Sequence, residues 1–124
     1  IMYASAKNVD NIILTIDLNG KQIDGSTDEV LSLGNLKNKF NSFDWIVFEL
    51  KNGNNIEDIL KTFAQAKKEI NKGKPICILM KTEMGNGVDF MMNTHAWHGK
   101  APNDEQLKIA LSQNEETLGD FKFD

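Results

Sequence analysis

The chain has 124 residues, 40% of them hydrophobic and 26% charged, which bounds it to a single globular domain with a modest core. Its 14 basic and 18 acidic side chains leave a net charge of −4, too weak and too evenly mixed for a surface that tracks nucleic acid or an anionic membrane. No apolar run approaches the ~18 residues of a spanning helix and no secretory signal pattern is present, so a cytoplasmic protein is expected.

Ile1-Met2-Tyr3-Ala4-Ser5-Ala6-Lys7-Asn8 is small or helix-compatible and runs into a strand without a helix start signal, the pattern of a helix entered midway. A βα unit needs an earlier strand to feed such a helix, so the fold is expected to begin upstream of Ile1. Asn11-Ile12-Ile13-Leu14-Thr15-Ile16-Asp17 predicts a strand buried on both faces. Residues 18–33, with Gly20, Gly25 and the adjacent Gly34, show no periodicity over most of their length and read as a long loop. Loops of that length inside compact domains are uncommon and often functional. Leu36, Phe40 and Phe43, spaced four and three apart, predict a short amphipathic helix facing a sheet.

Trp45-Ile46-Val47-Phe48-Glu49-Leu50 predicts a second strand, followed by the polar turn Asn52-Gly53-Asn54-Asn55. Asn55 then caps a helix whose apolar positions are Ile56, Ile59, Leu60, Phe63, Ala64, Ala66 and Ile70, stopped by Asn71-Lys72-Gly73-Lys74-Pro75. Pro75-Ile76-Cys77-Ile78-Leu79-Met80-Lys81 predicts a third buried strand, in which the single cysteine, Cys77, reads as a buried, inert thiol with no disulfide partner in the chain. Residues 103–111 predict a terminal helix with Asp104 and Glu105 in its first turn, and residues 112–124 a polar tail. Alternating strands and helices imply an α/β fold: a three-layer parallel sheet with flanking helices, one domain over residues 1–124, incomplete at its N-terminus.

Ligands of open parallel sheets bind beyond the C-terminal ends of the strands, which directs attention to residues 17–25 and 82–102. Asn19 offers an amide oxygen and the next turn offers free carbonyls, donors that suit Mg²⁺, although Asn-Gly and Asp-Gly by themselves read as turns. Gly85 and Gly87 permit backbone to approach a ligand. His95 and His98 lie on a polar loop and are not needed for a core; a zinc site there lacks a third ligand, since Cys77 belongs to a strand.

Taken together, Asp17-x-Asn19-Gly20-x-x-Ile23-Asp24-Gly25 and Lys81-Thr82-x-x-Gly85-x-Gly87, each following a strand, and then Thr94-His95-x-x-His98-Gly99-x-x-Pro102, resemble the pyrophosphate-binding domain of transketolases. Nearly the whole chain takes part, including Asn103-Asp104-Glu105-Gln106, and the early end after Gly119-Asp120 resembles the N-terminal subunit of split bacterial transketolases. The resemblance implies the thiamine-diphosphate-binding fold, with thiamine diphosphate and Mg²⁺ as cofactors. It places Asn19 as a magnesium ligand, Lys21 as a second through its backbone carbonyl where the family often has Ile, and Ile23 near the thiazolium ring. Met84 stands against the cofactor's ring system where Ile is frequent, and His98 matches the histidine that reaches the diphosphate and the reacting carbon. His95 and Lys100 either contact phosphate or sugar hydroxyls or face solvent, Asp24 and Gly25 shape the loop, and Trp97 packs over it.

The resemblance also implies partners: sugar phosphate substrates, and a complementary C-terminal, pyrimidine-binding subunit that brings the glutamate acting on the aminopyrimidine, in an oligomeric enzyme. The Gly-Asp-Gly motif carrying the other magnesium ligand is expected upstream of Ile1, so these residues alone are expected to be inactive. Two rivals are a 1-deoxyxylulose-5-phosphate synthase, which the Ile-Asp-Gly and His-x-x-His-Gly elements fit less well, and a non-catalytic α/β module used for assembly.

Overall fold

The computed structural model describes residues 1–114. Along the chain come α1 (Met2–Ala6), β1 (Ile13–Asp17), β2 (Lys21–Gln22), β3 (Gly25–Ser26), α2 (Thr27–Val30), α3 (Leu36–Ser42), β4 (Ile46–Leu50), α4 (Ile56–Lys67), β5 (Ile76–Met80), a single 3-10 turn (His95–Trp97) and α5 (Asp104–Gln113).

β5 is the most apolar run and takes the centre of a parallel sheet ordered β1-β5-β4. Ile76, Cys77 and Ile78 are fully buried, as a strand paired on both edges and covered on both faces must be. Successive side chains point to opposite faces, so Cys77 and Leu79 join Phe40, Trp45, Leu36 and Ala4 on one side. Ile76 and Ile78 join Ala66, Ile59 and Phe63 on the other. These two cores make the expected three layers, with α1 and α3 on one face and α4 on the other.

Local signals explain the helices. Asn55 Oδ1 accepts the Asp58 N–H at 3.0 Å and starts α4, and Glu57 and Asp58 favour its positive N-terminal end. At the other end of that unit, Asp10 accepts the Asn71 N–H through its carbonyl at 3.0 Å and the Gly73 N–H through its carboxylate at 2.9 Å, which ties the α4 exit to the entrance of β1. Asn103 and Gln106 form a capping box that starts α5. α1 has no side-chain cap.

Four details differ from the sequence-based expectations. Among the described residues β1 is an edge strand, with Thr15 and Asp17 exposed, because only β5 pairs with it. Phe43 is 38% exposed, since α3 ends at Ser42 and the apolar stripe is completed instead by Trp45, whose ring meets Phe40 edge-on at 5.3 Å. Residues 18–33 are not an irregular loop: they hold the β2–β3 hairpin and α2, the latter nucleated by a Ser26–Glu29 capping box that periodicity cannot reveal in a four-residue helix. Finally α5 runs to Gln113, so Ser112 and Gln113 belong to the helix rather than to a tail, and residues 115–124 of the expected tail lie outside the described residues. Among the described residues, no helix is long and apolar enough to cross a membrane.

Cys77 has no exposed surface, and burial pushes its thiol up to about 11 because the low-dielectric core disfavours the thiolate. A maleimide or Ellman reagent should therefore leave native Cys77 unlabelled at pH 8 and label it fully in denaturant. Rapid native labelling would contradict this packing.

Candidate functional site

The three parallel strands end level, since Asp17 and Leu50 both register with Met80. Their outgoing chains therefore leave from one rim. Leu18 N–H donates to Met80 O at 2.8 Å, and Lys81 N–H to Leu50 O at 2.8 Å, extending the ladder one step beyond the strands. Both segments singled out in the sequence start here.

The first segment is a hairpin. Asn19 is half-buried, and its amide oxygen accepts the Lys21 N–H at 2.8 Å, an Asx turn that pins the side chain against its own backbone. Thr27 N–H donates to Gly20 O at 3.0 Å, and Lys21 pairs with Ser26 and Gln22 with Gly25. By the alternation of an antiparallel ladder, Lys21 and Ser26 are then a non-bonded pair, so the Lys21 N–H and C=O both project from the outer edge, the side where Asn19 places its oxygen. Two oxygen donors of the kind Mg²⁺ takes thus belong to one edge of one turn. Gly25 closes the hairpin at φ 156°, backbone that L side chains rarely adopt. Ile23, at the tip, is 66% exposed.

Asn19 and Lys21 line an open cleft of about 440 Å³ together with Asp17, Asn35, Lys37, Glu49 and Leu79. Lys37 and Glu49 form an ion pair on its wall. Ile23, Met84 and His98 do not line this cleft.

The second segment folds tightly on itself. Gly85 sits at φ 72°, and a Cβ there would collide with Met91 O. Asn93 N–H donates to Met84 O at 3.2 Å and Asn93 Nδ2 to Glu83 Oε1 at 2.6 Å, which holds Met84 half-buried at the loop's base. Thr94 Oγ1 accepts the Ala96 N–H at 3.2 Å and starts the 3-10 turn that ends at His98. Trp97 packs edge-on against Phe90 at 5.1 Å and donates its indole N–H to Phe90 O at 2.9 Å. Lys100 Nζ stands 4.9 Å from the Trp97 ring centroid. His95 and His98 are both exposed, and among the described residues no group of three metal-binding side chains surrounds them.

The two segments are neighbours. The Ser26 hydroxyl, then the Ser26 N–H, hold the Glu29 carboxyl below the usual carboxylate range, with smaller contributions from the charges of Lys21 and of His95, which brings the second segment within electrostatic reach of the hairpin. More directly, Thr82 Oγ1 donates to the Asp17 carboxylate across the rim. The loop after β4 joins them: Gly53 N–H donates to Lys81 O at 2.7 Å, and Asn54 Oδ1 accepts the Glu83 N–H at 2.7 Å. Gly53 and Asn54 are parts of the site that the sequence pattern does not single out, and although Asp17 and Thr82 belong to its motifs, nothing in the pattern pairs them with each other. Asn52-Gly53-Asn54 reads as an ordinary turn, and only the sheet order shows that it abuts Thr82.

A parallel sheet with two glycine-bearing polar loops gathered on one rim defines an α/β cofactor-binding domain. The family model for the transketolase thiamine-diphosphate-binding domain matches residues 1–119, and the chain belongs to that family. It is 33% identical, over 94% of its own length, to an apulose-4-phosphate transketolase subunit of Phocaeicola vulgatus, and 34% identical, over 92%, to the 6-deoxy-6-sulfo-D-fructose transketolase subunit SqwG of Clostridium sp.. It spans 41% and 40% of those two proteins. The crystal structure of transketolase from Campylobacter jejuni superposes with a TM-score of 0.81 at 31% identity, covering 90% of this chain and 17% of that one.

Gly85→Ala should disorder the second segment, because both its φ and the Met91 carbonyl exclude a side chain. The expected result is a melting temperature lowered by a cost of about 2 kcal/mol or more, with loss of amide-exchange protection concentrated at residues 83–93.

Proposed function

We propose that this chain supplies the diphosphate- and Mg²⁺-binding part of a transketolase active site. One observation carries the reading: Asn19 is held by Lys21 N–H at the edge of a cleft on the sheet's C-terminal rim, where the register directs the Lys21 carbonyl outward as well. Asn19 through Oδ1 and Lys21 through its carbonyl would be metal ligands, with the remaining positions filled by diphosphate oxygens, water and the aspartate expected from the Gly-Asp-Gly motif. Ile23, exposed at the hairpin tip, and Met84, half-buried at the base of the second segment, leave apolar surface for the cofactor's rings.

When bound, thiamine diphosphate supplies the nucleophilic carbon and the electron sink for moving a two-carbon ketol unit from a ketose phosphate to an aldose phosphate. His98 would donate a hydrogen bond to the diphosphate or move a proton at the reacting carbon, a role open to an exposed imidazole at the C-cap of the 3-10 turn. Relatives named for apulose-4-phosphate and for 6-deoxy-6-sulfo-D-fructose both support a ketose donor.

Those two relatives are named as subunits, which supports the further reading that a complementary pyrimidine-binding subunit completes the site with its own glutamate. On that reading residues 1–124 are a partial domain of a cytoplasmic, oligomeric enzyme and are inactive alone. In the complete enzyme, Asn19→Ala should weaken Mg²⁺-dependent thiamine diphosphate binding by about tenfold or more, measured by calorimetric titration. His98→Ala should lower kcat about 10²-fold or more and change cofactor affinity much less. Unchanged binding in the first variant and unchanged turnover in the second would refute the two assignments.

A further inference from the structure

Three chain segments leave the C-terminal rim, and one side chain touches the other two. Thr82, half-buried, points its hydroxyl at the Asp17 carboxylate, two residues before Asn19. Its methyl group faces Gly53 so closely that a Cβ on that residue would lie 2.7 Å from Thr82 Cγ2 and 2.8 Å from Lys81 O. A β-branched side chain has few χ1 choices, so a single rotamer sets both contacts at once. Among the described residues, the Thr82–Asp17 bond is the only side-chain hydrogen bond joining residues 17–30 to residues 81–102. The neighbouring residue is tied too, since Glu83 N–H donates to Asn54 and the Glu83 carboxylate accepts from Asn93.

We propose that Thr82 is a positioning residue of the cofactor site: its hydroxyl, through Asp17, sets where the Asn19 turn stands relative to the loop that carries Met84 and His98. This rests on the transketolase reading of the rim. The physical logic is that the hairpin has only two residues in each strand and forms a sheet separate from β1-β5-β4, so its base has freedom that the main sheet does not remove. A metal ligand misplaced by a fraction of an ångström loses affinity without any loss of fold, which is the usual consequence of removing a group that orients a ligand from behind.

The test uses the complete enzyme, titrated with thiamine diphosphate in the presence of Mg²⁺. Thr82→Val keeps the branched shape and the methyl contact with Gly53 but removes the donor. It should raise the Kd about tenfold, as expected on removing a group that orients a metal ligand from behind, with the unfolding temperature of the cofactor-free enzyme lowered only slightly. Thr82→Ser, which keeps the donor, should restore near wild-type affinity. In an Asn19→Ala background the Thr82→Val effect should shrink, because the group that Thr82 positions is gone. Wild-type affinity in Thr82→Val, equal losses in the Val and Ser variants, or full additivity with Asn19→Ala would each overturn the proposal while leaving the cofactor reading intact. Absence of Mg²⁺-dependent binding in the wild-type enzyme would overturn the cofactor reading, and this proposal with it.

Discussion

The domain depends on the double pairing of β5. One five-residue strand hydrogen-bonds in parallel to β1 on one edge and to β4 on the other, and its alternate side chains fill both cores. Any shift of register by one residue would exchange Cys77 and Leu79 with Ile76 and Ile78 and place each set against the wrong helix. The same pairing makes Asp17, Met80 and Leu50 end at one level. Core packing and site geometry are therefore two consequences of one constraint.

Beyond that level the chain changes character. The strands are apolar and nearly free of choice, whereas the outgoing segments are held by individual polar bonds: Asn19 to Lys21, Thr82 to Asp17, Asn54 to Glu83, Asn93 to Glu83. Glycines stand at the close approaches, at Gly53 against Thr82 of the neighbouring segment and at Gly85 against Met91 within its own. Hydrogen bonds of this kind restrict a loop's freedom, which lowers the entropy that binding must overcome. On the proposed reading, that order is what presents an amide oxygen and a carbonyl to a metal ion from the same edge of a turn.

The arrangement also explains why several large apolar side chains lie outside the cores. Ile23, Val30, Leu31 and Leu33 lie between β2 and α3, beyond the main sheet, where no second layer of the described residues covers them. Leu31 is 77% exposed. On the proposed reading, these side chains belong to one part of a larger site.

Much of this was legible in the sequence because it depends on near neighbours. The β-branched run around Ile78, the Asn55 cap and the periodicity of α4 are local, and their alternation sufficed for a parallel α/β sheet. The spaced motifs around Asn19, Gly85 and His98 sufficed for the family. What sequence alone did not disclose depends on which elements meet in space. β1 reads like a buried strand, but the β1-β5-β4 order leaves it on an edge; residues 18–33 read like loop, because a two-residue strand and a four-residue helix are too short to carry a period. Thr82 and Asp17 stand 65 positions apart and nothing in their composition pairs them. Composition and periodicity determined the longer strands and helices, since each such choice is made by a residue and its neighbours within a turn. Only the tertiary structure decided the strand order and the contacts across the rim, because those depend on packing between surfaces that no window of sequence contains.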